Sequence, residues 1–330
     1  MMTYLPLIFI AMIGFMIIMY VVLDGFTLGT GMLLPFMAKA ERDIAMSVIL
    51  PTWDGNQTWL VLGAATLYGA FPMAFSLLLP ALYIPLLLMV VALLFRGVVF
   101  EFRLKSTHVA WDIIFSIASL CVTLIQGFML ATFIQGFTIS QDVTVIAHTA
   151  AMTPFTAVTA VSLVCGYSLL GATRLILKTT DSIQAKMFKI SITLSIFIAV
   201  AMVIVSLMTL FVHPEVKQLW FNQKYWLGLS ILPLITGFLF LGLWYSLKKR
   251  KEILPYWLSV FIFLCPYAGF VVSVYPYIVP YHITLWQAAA PSNSLSFLLV
   301  GAVIMLPVLL IYTGYSYHIF KGKVKDVLHY

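Results

Sequence analysis

The chain has 330 residues, of which 63% are hydrophobic and 9% are charged, and its mean hydropathy is +1.07. A soluble domain carries about 25% charged residues, so this composition excludes a water-soluble domain of useful size. We therefore expect residues 1–330 to form a single transmembrane domain with short loops. The net charge of +7 would suit a nucleic-acid partner, but the placement of the basic residues argues against one.

Apolar segments long enough to cross a bilayer follow one another through the sequence, and each predicts a transmembrane helix. The first is too long for the apolar region of a signal peptide, so we expect it to be retained. Phe71-Pro72-Met73 separates the second segment from the third, either as a tight turn or as a kink. We predict about nine spans and an all-α polytopic fold, with the segments at 6–34, 57–74, 75–97, 112–134, 154–176, 189–211, 225–246, 254–279 and 296–319.

The basic residues are distributed unevenly between the two sides of the predicted bundle. If the N-terminus is outside, all 18 Lys and Arg residues except Lys217 and Lys224 fall on one side. Positive charge marks the cytoplasmic face of a membrane protein, so we predict an external N-terminus and a cytoplasmic C-terminus. The same asymmetry explains the net charge through contact with anionic lipid, without any nucleic acid.

The first and fifth segments contain a short internal repeat. Residues 25–31 (GFTLGTG) resemble residues 166–172 (GYSLLGA). Such a repeat favours two four-helix units with one additional helix, which we place at 1–135, 154–280 and 296–319. A match by chance is the alternative, and the sequence leaves both open.

Asp24 is a carboxylate inside the first apolar segment, roughly 15 Å along the helix from Pro35. Gly25 and Gly29 form a small-residue face on which another helix can pack closely, so Asp24 is expected to point into a packed interior. Ionisable residues inside membranes are usually functional, which favours a proton relay or a polar anchor. A protonated Asp making one interhelical hydrogen bond is the structural alternative.

Polar residues are concentrated between Pro51 and Trp59, at the start of the second segment. Asp54 and Gln57 have the spacing of a capping box, in which both side chains satisfy helix N-terminal amides. Capping alone does not require Asn56 as well, so we predict a hydrogen-bonding mouth at which Asp54 collects a proton and passes it inward. Capping and proton uptake are compatible. The tryptophans here could be ordinary interfacial aromatics.

Alternating charges close the third segment at Arg96, Glu101 and Arg103. The simplest interpretation is a local ion network at the membrane surface. The alternative is that these residues contact a partner subunit or a lipid headgroup.

The positions of the histidines argue against a haem site in this chain. A haem site buried in a membrane needs two facing histidines, or a histidine opposite a methionine, on neighbouring spans. All six histidines lie in loops or at segment ends: His108, His148, His213, His282, His318 and His329. The three cysteines, Cys121, Cys165 and Cys265, lie in apolar segments and are not closely spaced. We therefore expect this chain to ligate neither haem nor metal.

Three motifs together resemble subunit II of the cytochrome bd-type quinol oxidases. They are Leu23-Asp24-Gly25-Phe26, Trp53-Asp54-Gly55-Asn56-Gln57 and Phe100-Glu101-Phe102-Arg103, the last preceded by Phe95-Arg96. The resemblance is specific over residues 20–105, and the shorter, cyanide-insensitive branch is nearest in length.

The resemblance implies a heterodimer in the bacterial cytoplasmic (inner) membrane, in which each subunit has two four-helix bundles and a peripheral helix. Subunit I carries haems b and d and the quinol site, so no catalytic residue is expected in this chain. The complex oxidises quinol and reduces dioxygen to water with cytoplasmic protons. A proton path is expected to begin at Asp54 and to include Asn56, Gln57 and Asp24, and Trp59 is expected near an oxygen channel.

Some members also hold a structural quinone in subunit II, and the presence of a small single-helix accessory subunit is left open. This chain departs from some relatives at Thr27, where they carry a second acid. We predict the haem-free subunit of a respiratory quinol:oxygen oxidoreductase. A stand-alone secondary transporter that uses Asp24 for ion coupling is the alternative, and a purely structural scaffold is a third possibility.

Overall fold

The computed structural model describes residues 4–103, 105–106, 108–139, 145–147, 153–212, 214–223 and 226–324. Most of this chain is helical, as predicted. The helices are α1 (Leu5–Leu33), α2 (Lys39–Ile49), α3 (Trp53–Ala70), α4 (Pro72–Ala81), α5 (Tyr83–Arg103), α6 (Ala110–Gln135), α7 (Pro154–Lys178), α8 (Asp181–Val212), α9 (Pro214–Trp220), α10 (Trp226–Lys248), α11 (Leu254–Val274), α12 (Leu285–Ala288) and α13 (Ser292–Ile319). A 3₁₀ turn, Leu34–Phe36, follows α1.

Two small antiparallel hairpins complete the described secondary structure. Strand β1 (Phe137–Ile139) pairs with β2 (Val145–Ala147), and β3 (Tyr277–Val279) pairs with β4 (Ile283–Thr284). Both follow the ends of long helices, α6 and α11, so they lie in connections rather than in the bundle.

In the described part of the chain, eight helices are long and apolar enough to cross a membrane: α1, α5, α6, α7, α8, α10, α11 and α13. Helix α3 corresponds to the second predicted span and has 18 residues, but its first turns carry Asp54, Asn56 and Gln57 and are therefore too polar to meet the same criterion. The all-α polytopic fold is confirmed.

The third predicted span, 75–97, is misplaced. The chain breaks at Phe71, as expected, but breaks again at Leu82, so α4 is a separate short helix and α5 runs from Tyr83 to Arg103. Pro85 explains the second break, because its ring would clash with the carbonyl of Ala81 in a continuous helix, whereas proline is tolerated in a first turn. Helix α5 therefore extends six residues beyond the predicted end, which changes the depth of Arg96.

Helix α2 was not predicted as an element. The side chain of Glu41 accepts a hydrogen bond from the backbone amide of Ala38 at 2.9 Å and so satisfies an N-terminal donor. The later residues of the helix, from Ala45 to Ile49, are buried. Because α2 mixes charged and apolar residues, it contains no long apolar run of the kind that predicts a span.

The centre of the protein is the crossing of α1 and α7. A Cβ atom added at Gly29 would lie 1.7 Å from the backbone oxygen of Tyr167, and one added at Gly171 would lie 2.4 Å from the backbone nitrogen of Thr30. The two backbones are thus in direct contact, and the predicted small-residue face of α1 is confirmed. The proposed division into halves at 1–135 and 154–280 stays a prediction.

Candidate functional site

Asp24 on α1 and Arg96 on α5 form a buried bidentate ion pair. Arg96 Nη1 lies 3.0 Å from Asp24 Oδ2, and Nη2 lies 3.1 Å from Oδ1. Both side chains are fully buried. Thr27 completes the group, because its hydroxyl donates to the Asp24 carboxylate and accepts from Arg96 Nη2 at 2.8 Å. The arrangement differs from the structural alternative of a single interhelical hydrogen bond, because Asp24 makes two hydrogen bonds to Arg96.

The prediction that Arg96 contacts a partner or a lipid needs correction. Its guanidinium is enclosed by the protein, 5.5 Å from the centre of the Phe115 ring, and has no exposed surface. The error follows from the misplaced third span, which put Arg96 at a helix end. Because α5 continues to Arg103, Arg96 lies about two turns inside the helix.

Arg103 pairs with acidic residues on other helices, whereas Glu101 does not join this network. Arg103 Nη2 lies 2.6 Å from Asp43 Oδ1, and Arg103 Nε lies 2.7 Å from Asp112 Oδ1. Arg42 also reaches Asp112, at 3.4 Å. The ion network therefore joins α2, α5 and α6 rather than running along one helix. Glu101 is exposed and makes no ion pair within the described ranges.

The predicted capping box of Asp54 and Gln57 is not formed. Helix α3 begins at Trp53, its N-cap is Thr52, and no side chain caps it. Asp54 lies one residue inside the helix and is exposed. A carboxylate in a first turn still interacts favourably with the positive end of the helix dipole.

Asn56 connects the mouth to the interior. Its side chain is buried, and Nδ2 donates to the backbone oxygen of Leu23 at 2.8 Å, immediately before Asp24. Its Oδ1 accepts a hydrogen bond from the hydroxyl of Tyr317 on α13 at 2.9 Å. Gln57 Nε2 is buried and has no hydrogen-bond partner within the described chain. A buried donor of this kind is commonly satisfied by an ordered water.

The two tryptophans beside the mouth are packed inward. Trp59 is 1% exposed, and its ring meets that of Phe15 edge-on at 5.8 Å. Trp53 stacks on Phe100 at 4.5 Å. Trp59 is therefore a core residue between α1 and α3 rather than an interfacial aromatic. Its expected place near an oxygen channel stays a prediction.

A second polar group was missed by the sequence analysis. Gln126 Nε2 on α6 donates to the hydroxyl of Tyr20 at 2.7 Å, and the hydroxyl of Tyr167 on α7 donates to Gln126 Oε1 at 2.9 Å. Tyr20 lies one helical turn before Asp24 on the same face of α1. Gln126 lies in the middle of an apolar segment, and this position could have predicted the contact. A side-chain amide in such a place usually finds a hydrogen-bond partner on a neighbouring helix.

Within the described residues, no group of three or more His, Cys, Asp or Glu side chains could hold a metal ion. His148, His213 and His329 lie outside the described residues, as do Lys224 and residue 225 of the seventh predicted span. The absence of haem ligands from this chain stays a prediction.

The chain matches known proteins over nearly its whole length. The family model described as cytochrome bd terminal oxidase subunit II matches residues 5–320. The chain belongs to the cytochrome bd terminal oxidase subunit II family. It is therefore an integral protein of the inner membrane, and the resemblance drawn from its motifs is confirmed.

Two relatives in the cytochrome bd subunit II family show how far the similarity extends. The chain is 36% identical over 132 residues to cytochrome bd ubiquinol oxidase subunit 2 of Bacillus subtilis (strain 168), a match covering 38% of this chain and 39% of the relative. It is 24% identical over 356 residues to cytochrome bd-I ubiquinol oxidase subunit 2 of Escherichia coli (strain K12), covering 95% of this chain and 93% of the relative.

A solved structure supports the fold. The chain is similar to a chain of the bd oxidase from Geobacillus thermodenitrificans with a TM-score of 0.81 and 16% sequence identity. The match covers 96% of this chain and 98% of the other. At this identity the likeness shows the shared fold alone.

Proposed function

We propose that this chain is the haem-free subunit of a membrane-bound quinol:oxygen oxidoreductase. Membership of the cytochrome bd subunit II family supports this, as do the names of the relatives, which are ubiquinol oxidase subunits. The partner is a subunit I that carries haems b and d and oxidises quinol. This chain braces that subunit and supplies protons from the cytoplasm for the reduction of dioxygen to water.

The proton route begins at Asp54 and proceeds through the mouth formed by Thr52, Asp54, Asn56 and Gln57. Asp54 is exposed and has no ion pair within the described chain, so its carboxylate can accept a proton from water. One observation carries the proposal. The buried Asn56 amide joins the mouth to the Leu23 carbonyl, next to Asp24, deep in the apolar segment of α1. Gln57 Nε2, which has no partner among the described residues, leaves a donor for a water on this route.

Asp24 and Arg96 stabilise the inner end of this route. Because both carboxylate oxygens are held by one guanidinium, Asp24 acts as a fixed charge that orients its surroundings rather than as a mobile proton carrier. Thr27 can hold a water but cannot take up a charge. Proton uptake from the cytoplasm also requires the orientation inferred from the basic residues, with the C-terminus on the cytoplasmic side.

The direct test is Asp54→Asn in the complete oxidase, assayed in native membranes. The amide keeps the size of the side chain but cannot accept a proton, so turnover should fall by a factor of ten or more while haem content stays unchanged. Asp181→Asn is the matched control, because Asp181 is also an exposed acid in the first turn of a long helix. Full turnover in the Asp54 variant with full haem content would remove Asp54 from the route.

A separate experiment tests whether this chain binds haem by itself. The tagged chain purified with its partner should show visible haem bands, and the chain expressed alone should be colourless. Haem bands that persist in the isolated chain would contradict a haem-free subunit. A colourless monomer that transports a solute would instead favour the secondary transporter.

A further inference from the structure

Arg174, near the end of α7, is a buried cation without an acidic partner. Its side chain is 8% exposed, and no carboxylate lies within 4.0 Å of it in the described chain. Its Nε is buried and has no hydrogen-bond partner there. An unpaired charge in such a place is costly unless another interaction compensates for it.

Three aromatic rings from three other helices provide that compensation. The guanidinium carbon lies 4.9 Å from the ring centre of Phe26 on α1, 5.1 Å from that of Tyr256 on α11 and 5.2 Å from that of Tyr317 on α13. The face of an aromatic ring attracts a cation, and more strongly when water is excluded. The Arg174 cage therefore consists of three rings, those of Phe26, Tyr256 and Tyr317.

Lys178, one turn further along α7, binds the segment that follows α13. Its ammonium group donates to the backbone oxygens of Phe320 and Gly322, the latter at 3.2 Å. Its own carbonyl accepts a hydrogen bond from the amide of Val324 at 2.8 Å. The last turn of α7 therefore holds both the end of α13 and the residues beyond it.

Elsewhere, helix α13 is attached mainly by partly buried side chains that pack against α1 and α3. Leu295, near its beginning, is the only buried residue of α13 in the described chain. Toward the opposite end, Tyr312 packs against α3, and Tyr317 and the contacts to Lys178 attach the helix to α7. Arg174 is thus placed to fix this end of the peripheral helix against α1.

Tyr317 also belongs to the polar mouth. Its hydroxyl donates to Asn56 Oδ1 at 2.9 Å, whereas the Tyr256 hydroxyl makes no hydrogen bond within the described residues. The same side chain therefore presents its ring to Arg174 and its hydroxyl to Asn56. The Asn56 amide is thus held by the Leu23 carbonyl on one side and, on the other, by a tyrosine whose ring lies against Arg174.

We propose that Arg174 is a positioning residue for the proton route: it holds Tyr317, and with it the end of α13, so that Tyr317 orients Asn56. The effect on turnover rests on the proposed function. The attachment of α13 does not, because it follows from the Arg174 cage alone. The two parts can therefore be tested separately in the same variants of the complete oxidase.

The first measurement is hydrogen exchange of the α13 backbone. Arg174→Gln should accelerate exchange over residues 310–319 at least tenfold, because the cage loses its cation, and Arg174→Lys should restore part of the protection. If Arg174→Gln does not assemble, Tyr317→Leu removes one ring of the cage and should give the same acceleration. Unchanged exchange in the assembled Arg174→Gln oxidase, or in Tyr317→Leu where Arg174→Gln fails to assemble, would overturn the attachment.

The second measurement separates the hydroxyl from the ring. Tyr317→Phe keeps the ring, so exchange of α13 should be unchanged, but turnover should fall at least threefold with an unchanged KM for quinol. Tyr256→Phe is the matched control and should alter neither quantity. Equal turnover in the two variants would overturn the link to Asn56. If Asp54→Asn is also without effect, the proposed route itself fails, and the exchange data still decide the role of Arg174.

Discussion

The Asp24 carboxylate and the Arg96 guanidinium face each other with two hydrogen bonds between α1 and α5, and neither side chain reaches the surface. Buried pairs of this kind gain little over an apolar pair of the same size, but removing one partner leaves the other charge unpaired. The pair therefore links α1 to α5 through two charged side chains, each of which depends on the other.

Asp24→Asn should destabilise the protein strongly. Arginine remains charged at any accessible pH, so the variant leaves a buried cation, at a cost of about 3–5 kcal/mol. The measurement is the thermal unfolding midpoint of the purified complex, together with its yield. Glu101→Gln is the control, because Glu101 is an exposed acid near the end of the same α5 and should have little effect.

The double variant Asp24→Leu with Arg96→Met tests whether the loss in Asp24→Asn comes from the unpaired charge. Removing both charges should recover a large part of the stability. A double variant that is no more stable than Asp24→Asn would instead attribute the loss to packing.

Gly29→Ala should prevent correct packing of α1 on α7. The new Cβ would lie 1.7 Å from the Tyr167 backbone oxygen, and a backbone cannot move aside as a flexible side chain can. The expected result is loss of the monodisperse complex in size-exclusion chromatography. Gly237→Ala is the matched control, because in the described chain no atom beyond its own stretch of helix lies within 4 Å of its added Cβ. Normal assembly of the Gly29 variant would contradict the close crossing.

Gln126→Leu should lower stability by about 1–3 kcal/mol, because the Tyr167 hydroxyl loses its acceptor inside the bundle. Thermal unfolding of the purified complex would show the loss. Tyr68→Phe is the control and should leave the unfolding midpoint unchanged, since Tyr68 is 63% exposed. An unchanged midpoint would mean that water replaces the amide at no cost.

Glu41 should give the protein an acid-sensitive contact. A hydrogen bond from Lys186 lowers the pKa of the Glu41 carboxyl below its usual 4.5, against the opposing effect of burial. Because the folded-state pKa is lowered, the contribution to stability is present above pH 4.5 and is lost as the pH falls through the lower folded value. This partly exposed contact is worth at most about 1 kcal/mol.

Glu41→Gln should remove this pH dependence. Hydrogen exchange of α2, measured from pH 7 down to about pH 3, should rise more in the wild type than in the variant after correction for the intrinsic rate. Parallel profiles for the two proteins would contradict a role for the ion pair with Lys186, which has a separation of 2.6 Å.

Local signals predicted local features correctly. Apolar runs located most of the spans, and the glycines of α1 predicted a close helix contact. Errors arose where two prolines and a short helix interrupted an apolar stretch. The third span was predicted to continue through Leu82, which put its end near Arg96. That error placed Arg96 at the membrane surface, so its pairing with Asp24 was not predicted.

The sequence by itself determined that this chain lies in a membrane, that acids and amides cluster near two of its spans, and that its motifs are those of the bd oxidase family. Hydropathy, charge and motifs are properties of neighbouring residues, so no fold is needed to detect them. Only the tertiary structure decided which polar groups meet. Asp24 and Arg96 are 72 positions apart, and Asn56 and Tyr317 are 261 apart. Such contacts depend on the rotation and depth of packed helices, which a pattern along one chain does not specify.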